Sequence, residues 1–449
     1  MLAAPMRTME CNSIPNLSDY GISPGLGFLP AEACLERLPH PYYSPWEKLV
    51  ACLPVLHEKQ ELRAHIEQLP ILTVSWLASL ENGGARMSVL CLCYMGIFGE
   101  EASHGRCSKI IPPCISIPLL AICDRLEVPP IATFAGLCLW NYRLIRPDEP
   151  THNPEDLLAT ATFTGDPDEE WFYLISVAIE ARGAPMIPVM VRAIAGTHVE
   201  DTQTVMTCLS ALRDSLQELG DLLDRMYERC QPAVFYHRLR PFLAGTKSLE
   251  QYGLPDGIYF DLGTTNANTK MGSLKLQSYR GGSNAQSSLI QFFDIVLGVE
   301  HPASPAAGGT TQQSFHDEMR GYMPGPHRRF LADIARVARV REYVHACRGS
   351  HPDLVAGYES CLQMLNRLRA KHLRIVSDYI IKEARRGSVD GSHNSGAVQP
   401  ASRAKAADRR FLGTGGTDLI PFLKRTIDES VEPLRKLGVR GQRRTTNRV

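Results

Sequence analysis

Residues 361–381 read CLQMLNRLRAKHLRIVSDYII. Leu362, Leu365, Leu368, Ile375, Val376 and Tyr379 recur at helical spacing and form one apolar stripe, the mark of a helix lying on a core. His372 falls on that stripe, four residues after Leu368 and three before Ile375. A core-facing imidazole needs partners for its nitrogens. On position alone a hydrogen-bonded structural histidine is the commoner outcome, and a metal or haem ligand is the alternative. Arg369 lies one turn earlier on a neighbouring face, where it and His372 can reach a single porphyrin.

The same periodicity extends in both directions. It predicts helices over Glu169–Arg182, Met186–Ala195, Asp201–Cys230, Ala233–Ala244, Ala285–Leu297, Pro326–Val337, Pro352–Lys382 and Asp418–Leu437. Before them, Pro45–Gly99 is helical in pattern, and Ile115–Leu126 and Pro130–Leu144 read as two further helices. Period-two alternation is confined to Gly253–Ser283, with GIYFDLG and KLQSYRGG. The fold class is therefore all-α. The expected organisation is a small helical domain over 1–145 with an irregular lead-in, a polar linker over 146–168, and a large helical domain over 169–437. That large domain contains a Gly/Ser/Arg-rich stretch at 385–410, read as a mobile loop. A basic tail follows at 438–449, and the last 15 residues carry six basic and no acidic side chains, most simply a solvated end.

The 449 residues hold 48 Lys plus Arg against 48 Asp plus Glu, a net charge of 0, which excludes a generally cationic nucleic-acid binder. Thirteen Cys without a CxxC pair support neither a zinc knuckle nor a disulfide framework, and so many free thiols suit a reducing interior. The best membrane candidate, Ile110–Cys123, is short and broken by Pro112, Pro113 and Pro118, whereas about 20 apolar residues are needed to cross a bilayer. The N-terminus lacks the apolar segment of a secretory signal. These features predict a cytoplasmic protein with no nucleic-acid or membrane partner.

Other segments carry candidate chemistry. In PAVFYHRLRPFLAG (232–245) Arg240 stands among apolar neighbours, where a guanidinium needs an anion: an acidic neighbour or a bound carboxylate. GGSNAQSS (281–288) and GTGGTD (413–418) each precede a helical pattern; helix entry is the simpler role, and close backbone approach to a ligand the other. Gly245-Thr246-Lys247-Ser248 misses the Gly-Lys pair of a phosphate loop. IYFDLGTTN (258–266) resembles the phosphate hairpin of actin and heat-shock ATPases, a remote alternative, since it sits between helices without the second acidic-glycine motif.

Taken together, DEEWFYLISVAIEA (168–181), FYHRLRPFLAG (235–245), GGSNAQSSLIQFFDIVLG (281–298), MRGYMPGPHRRFL (319–331), HLRIVSDYII (372–381) and GTGGTDLIPFLK (413–424) resemble the indoleamine 2,3-dioxygenase family in its fungal form. The resemblance implies haem b, active as Fe2+, held between the two helical domains with His372 as its metal ligand. It implies opening of the indole ring of L-tryptophan with O2 to N-formylkynurenine, the first step of the kynurenine pathway of tryptophan catabolism and NAD biosynthesis. It further implies a monomer and an external electron donor.

Residue by residue, the resemblance makes Arg240 the holder of the substrate carboxylate and Phe235 the ring that packs on the indole. Phe134 and Phe172 become pocket aromatics, Ser176 the candidate catalytic group, and Thr414 part of a loop closing over substrate. Gly282 and Ser283 lie beside the haem, and Asp294 and Arg369 support its proximal side. The sequence departs from the family pattern at Phe134 (Tyr in animal members), at Leu137-Cys138, at Thr246 (commonly Trp) and at Asn284 (a small residue). A haem-binding ligand sensor of the same fold, with little catalysis, is the alternative reading.

Overall fold

A computed structural model of the chain describes residues 13–32, 34–38, 40–72, 109–146, 151–248, 256–263, 274–302, 314–389, 411, 413–414 and 417–436. The start of the lead-in, the helical pattern over 73–99, most of the 385–410 stretch and the basic tail lie outside the described residues.

The architecture is all-α. The helices that frame the site are α1 (Pro113–Leu126), α2 (Pro167–Gly183), α3 (Met186–His198), α4 (Thr202–Asp224), α5 (Ser288–Val296), α6 (Gly325–Val337), α7 (Pro352–Val376) and α8 (Leu419–Lys436). Their starts are written in the sequence. Asp166 accepts from the Asp168 N–H ahead of Pro167 and three acidic residues in the first turn of α2, so cap, fixed φ and macrodipole all favour entry there. Asp201 does the same for α4, and Ser287 for α5.

Helix α4 packs against α2, α3 and α7, and α7 also packs against α8. Two buried apolar clusters result. One joins residues of α3, α4, α5, α6 and the first part of α7; the other joins α1, α2, the segment around Phe235 and the end of the α7 region. The helical stretch Pro167–His198 is long and apolar enough to cross a membrane, rather than the 110–123 segment marked from sequence. Within the protein it buries Trp171, Tyr173, Leu174, Val177, Ile187 and Met190 against other elements, as a core helix does.

Extended structure is slight. β1 (Ile110–Ile111), β4 (Ile258–Asp261) and β5 (Leu274–Gln277) form a small sheet in the order β1-β4-β5; β4 and β5, antiparallel, lie where the alternation predicted extended pieces. β2 (Tyr142–Leu144) pairs with β3 (Leu157–Ala159), where a helix to Leu144 and a polar linker were expected. Asn141 accounts for the difference: its amide donates to the Leu137 and Ala161 carbonyls, and its oxygen accepts from Thr160 Oγ1 and the Ala161 N–H, ending the helical turn and pinning the linker.

Three predicted helices also change character in mid-course. π-helical turns occupy Ala135–Leu139, Phe235–Leu239 and Ser377–Lys382, the second followed by a 3-10 turn at Arg240–Leu243. The long helix predicted over Asp201–Cys230 stops at Asp224, with a separate turn at Met226–Arg229.

Candidate active site

A cavity of about 280 Å3 opens where α2, α5, α7 and α8 meet the π turns. Every site residue named from the sequence contributes to its wall: Phe134, Phe172, Ser176, Phe235, Arg240, Gly282, Ser283, Asp294, Arg369, His372 and Thr414. All three π turns reach it as well, through Leu137 and Cys138, Phe235, and Tyr379 and Ile380. Such turns are frequent at functional sites.

One wall is aromatic. Phe172 and Ser176 sit four residues apart on α2 and so share a face. The Phe172 ring lies 5.1 Å from Phe235, and Phe235 lies 5.7 Å from Tyr379, centroid to centroid. Tyr379 is fully buried and fixed, because its hydroxyl reaches the Cys230 carbonyl at 2.6 Å and the Met226 carbonyl at 3.2 Å. Arg240 is 4% exposed, with its guanidinium carbon 5.8 Å from the Tyr236 ring. An always-charged group held that deep calls for an anion beside it, from the protein or from a bound molecule.

The glycine-rich segments meet here. The Gly282 N–H donates to the Leu243 carbonyl at 3.1 Å, the Gly281 N–H to the Thr414 carbonyl at 3.2 Å, and Thr414 Oγ1 to the Gly282 carbonyl at 2.6 Å. A Cβ on Gly281 would stand 2.1 Å from the Leu243 carbonyl oxygen, so only glycine allows this approach. Ser283 Oγ accepts from the Ala285 N–H and opens the turn Asn284–Gln286. Gln286, buried, accepts from the Phe134 N–H at 2.8 Å and donates to the Gly281 carbonyl at 2.9 Å, fastening Phe134 to the same loop.

Below them lies a buried charge network. Arg369 meets both oxygens of Asp294, at 2.5 and 2.6 Å, and also bonds Ser430 of α8. His301 bridges Asp294 (3.1 Å) and Glu429 of α8 (2.6 Å), and its ring stacks 3.7 Å from that of His316. Burial pushes the Asp294 carboxyl upward, but the Arg369 charge and then His301 outweigh it and hold it down at about 2. Burial and the charge of His301 lower His316 to about 3. Sequence reading found Asp294 and Arg369 and missed His301 and Glu429, which lie outside the quoted motifs and carry no telling spacing.

Glu180, also on α2, was missed too. Its Oε1 accepts from Ser287 Oγ at 2.5 Å, its Oε2 has no partner among the described residues, and burial raises it to about 7 against the opposing Ser287 bond. Its helical spacing from Phe172 and Ser176 was the available signal.

His372 lines the cavity half-buried, and burial followed by the Arg369 charge lowers it to about 4, leaving a neutral imidazole with a lone pair to give. Among the described residues no cluster of His, Cys, Asp and Glu could hold a bare metal ion. A single imidazole suits a metal that brings its other ligands with it, as a porphyrin does, and the largely apolar wall suits a flat macrocycle. The donor set fits haem. The Asn284 amide nitrogen lies 3.3 Å from His372 Nε2.

Comparison with known proteins gives a consistent result. A family model described as Indoleamine 2,3-dioxygenase matches residues 16–433. An indoleamine 2,3-dioxygenase of Penicillium citrinum is 40% identical, covering 93% of this chain and 88% of its own length. That of Saccharomyces cerevisiae is 36% identical over 93% of both chains. A 6-hydroxytryptophan 2,3-dioxygenase of Fusarium equiseti is 35% identical over 93% of this chain and 98% of its own.

Proposed function

This chain belongs to the indoleamine 2,3-dioxygenase family, haem-dependent oxidoreductases that open the indole ring of tryptophan with O2, and we propose that it does so in the cavity walled by His372, Arg240 and Phe235. The product is N-formylkynurenine, which enters tryptophan catabolism. The observation that carries the reading is a neutral imidazole, His372, in the same largely apolar cavity as a buried arginine and an aromatic cluster. The ligand-sensor and phosphate-binder alternatives give way to it.

His372 would hold the haem iron, and bound ferrous haem would supply O2 activation. The protein's own contribution is placement. Arg240 takes the substrate carboxylate with its planar fork, while Phe235, Phe172 and Phe134 take the apolar indole, so one end of the amino acid is charge-paired and the other is desolvated. Fixing both ends sets the C2–C3 bond of the ring in one orientation, the main route by which such a site lowers the barrier. Ser176, one turn after Phe172 on α2, offers a hydroxyl in the same wall. Gly282 and Ser283 let backbone lie close to the haem, and Thr414 ties the closing loop to them. Asp294 neutralises Arg369, and through it steadies the helix that carries His372.

We also propose that the protein acts as a cytoplasmic monomer of two helical domains, with an external donor keeping iron ferrous and no nucleic-acid or membrane partner. The balanced charge supports the absence of a broad cationic surface. Haem-loaded protein, reduced anaerobically and given L-tryptophan and then O2, should yield N-formylkynurenine. A protein that binds haem, shows the CO-shifted Soret band and forms no such product would refute the reading.

A further inference from the structure

Resting on the haem reading above, we propose that Asn284 is a latch on the haem-free site, its side-chain amide occupying His372 Nε2 until haem displaces it. The amide nitrogen stands 3.3 Å from Nε2, across 88 residues of sequence, and both residues line the cavity. A neutral imidazole has one acceptor nitrogen with one lone pair in the ring plane. That lone pair can accept the Asn284 N–H or bind a metal, but not both. Acceptance at Nε2 also leaves the ring proton on Nδ1, the tautomer that ligation through Nε2 requires. The latch thus blocks the ligand and prepares it.

Release needs little of the protein to move. The Asn284 backbone is fixed in its turn, because the Gln286 N–H donates to the Ser283 carbonyl at 2.9 Å and the Ser287 N–H to the Asn284 carbonyl at 3.0 Å. Gln286 anchors the same turn to Phe134 and Gly281. Asn284 itself is exposed, so rotation about its two side-chain torsions withdraws the amide without disturbing the loop. A small residue at this position could not make the contact.

The test compares haem uptake by the haem-free full-length protein and by Asn284→Ala and Asn284→Ser, followed as growth of the Soret band, with haem release measured by transfer to apomyoglobin. One intramolecular hydrogen bond reduces the binding-competent fraction so that both variants should take up haem about three- to tenfold faster than wild type. Release should change by less than about twofold, since the contact exists only before loading. Equal uptake by all three proteins, or a change confined to release, overturns the latch. Wild-type protein that fails to take up haem at all would instead refute the haem reading. If either variant folds poorly, 15N-histidine spectra of haem-free wild type decide the matter: a His372 ring protonated on Nδ1 with Nε2 accepting supports the latch, and a ring protonated on Nε2 overturns it.

Discussion

Thr414 donates its hydroxyl to the Gly282 carbonyl at 2.6 Å. That bond and the Gly281-to-Thr414 backbone bond join the segment before α8 to the loop that also holds Asn284 and Ser283. Only the first depends on the side chain. Thr414→Val should therefore leave the Soret band unchanged and raise KM for L-tryptophan about 2- to 12-fold, the worth of one net hydrogen bond. Steady-state kinetics with a haem titration check this; an unchanged KM would remove the hydroxyl from loop closure.

Arg240→Ala removes the buried cation that faces the substrate carboxylate in the proposed site. A charge-assisted contact of about 1.5–3 kcal/mol predicts a loss of roughly 10- to 150-fold in kcat/KM. Haem content should be unaffected. Wild-type kinetics in this variant would place the carboxylate elsewhere.

His372→Ala should purify with little haem and fail to retain haem added afterwards, because it removes the imidazole assigned to the iron. The absorbance ratio of Soret band to protein is the measurement, and normal retention would remove His372 as ligand.

Glu180→Gln should change how stability depends on pH. The folded carboxyl is raised to about 7 from an ordinary value near 4.5, so between these pH values the native state binds more protons than the unfolded chain. Stability of the wild type therefore falls as pH rises through that window, by up to about 3 kcal/mol, and levels off above it. Glutamine has no such slope. Urea denaturation of the haem-free proteins at pH 5 and pH 8 should show the variant gaining on wild type at the higher pH, and parallel curves would contradict the raised carboxyl.

The helical architecture was legible because its cues are local: stripes such as Leu362–Leu365–Leu368, and caps such as Asp166 and Asp201, act within one or two turns. The site residues were legible through resemblance, since spacing alone left His372 and Arg240 with ordinary core and ion-pair roles. Long-range polar contacts were not legible. Asn141 reaching Thr160 and Ala161, and His301 joining Asp294 to Glu429, pair residues whose proximity depends on the completed fold. The membrane-length apolar run at Pro167–His198 reads in the sequence as two shorter helices, Glu169–Arg182 and Met186–Ala195, because Gly183 and Pro185 lie between them.

The π turns explain the remaining mismatch and set a constraint on how this cavity can change. Each accommodates a wider turn than the 3.6 residues of an α-helix, so side chains beyond it are rotated relative to an uninterrupted helix by up to about 100°, one residue's worth. A helical wheel drawn straight through 233–244 therefore puts Arg240 out of phase with Phe235, although both line the cavity. For the same reason, deletion of a single residue within Phe235–Leu239 or Ser377–Lys382 offers the chain a regular helix in exchange for a turned cavity wall. Homologues are best aligned across these segments by which side chains face the cavity, since a gap of one residue there is a change of direction as much as of length.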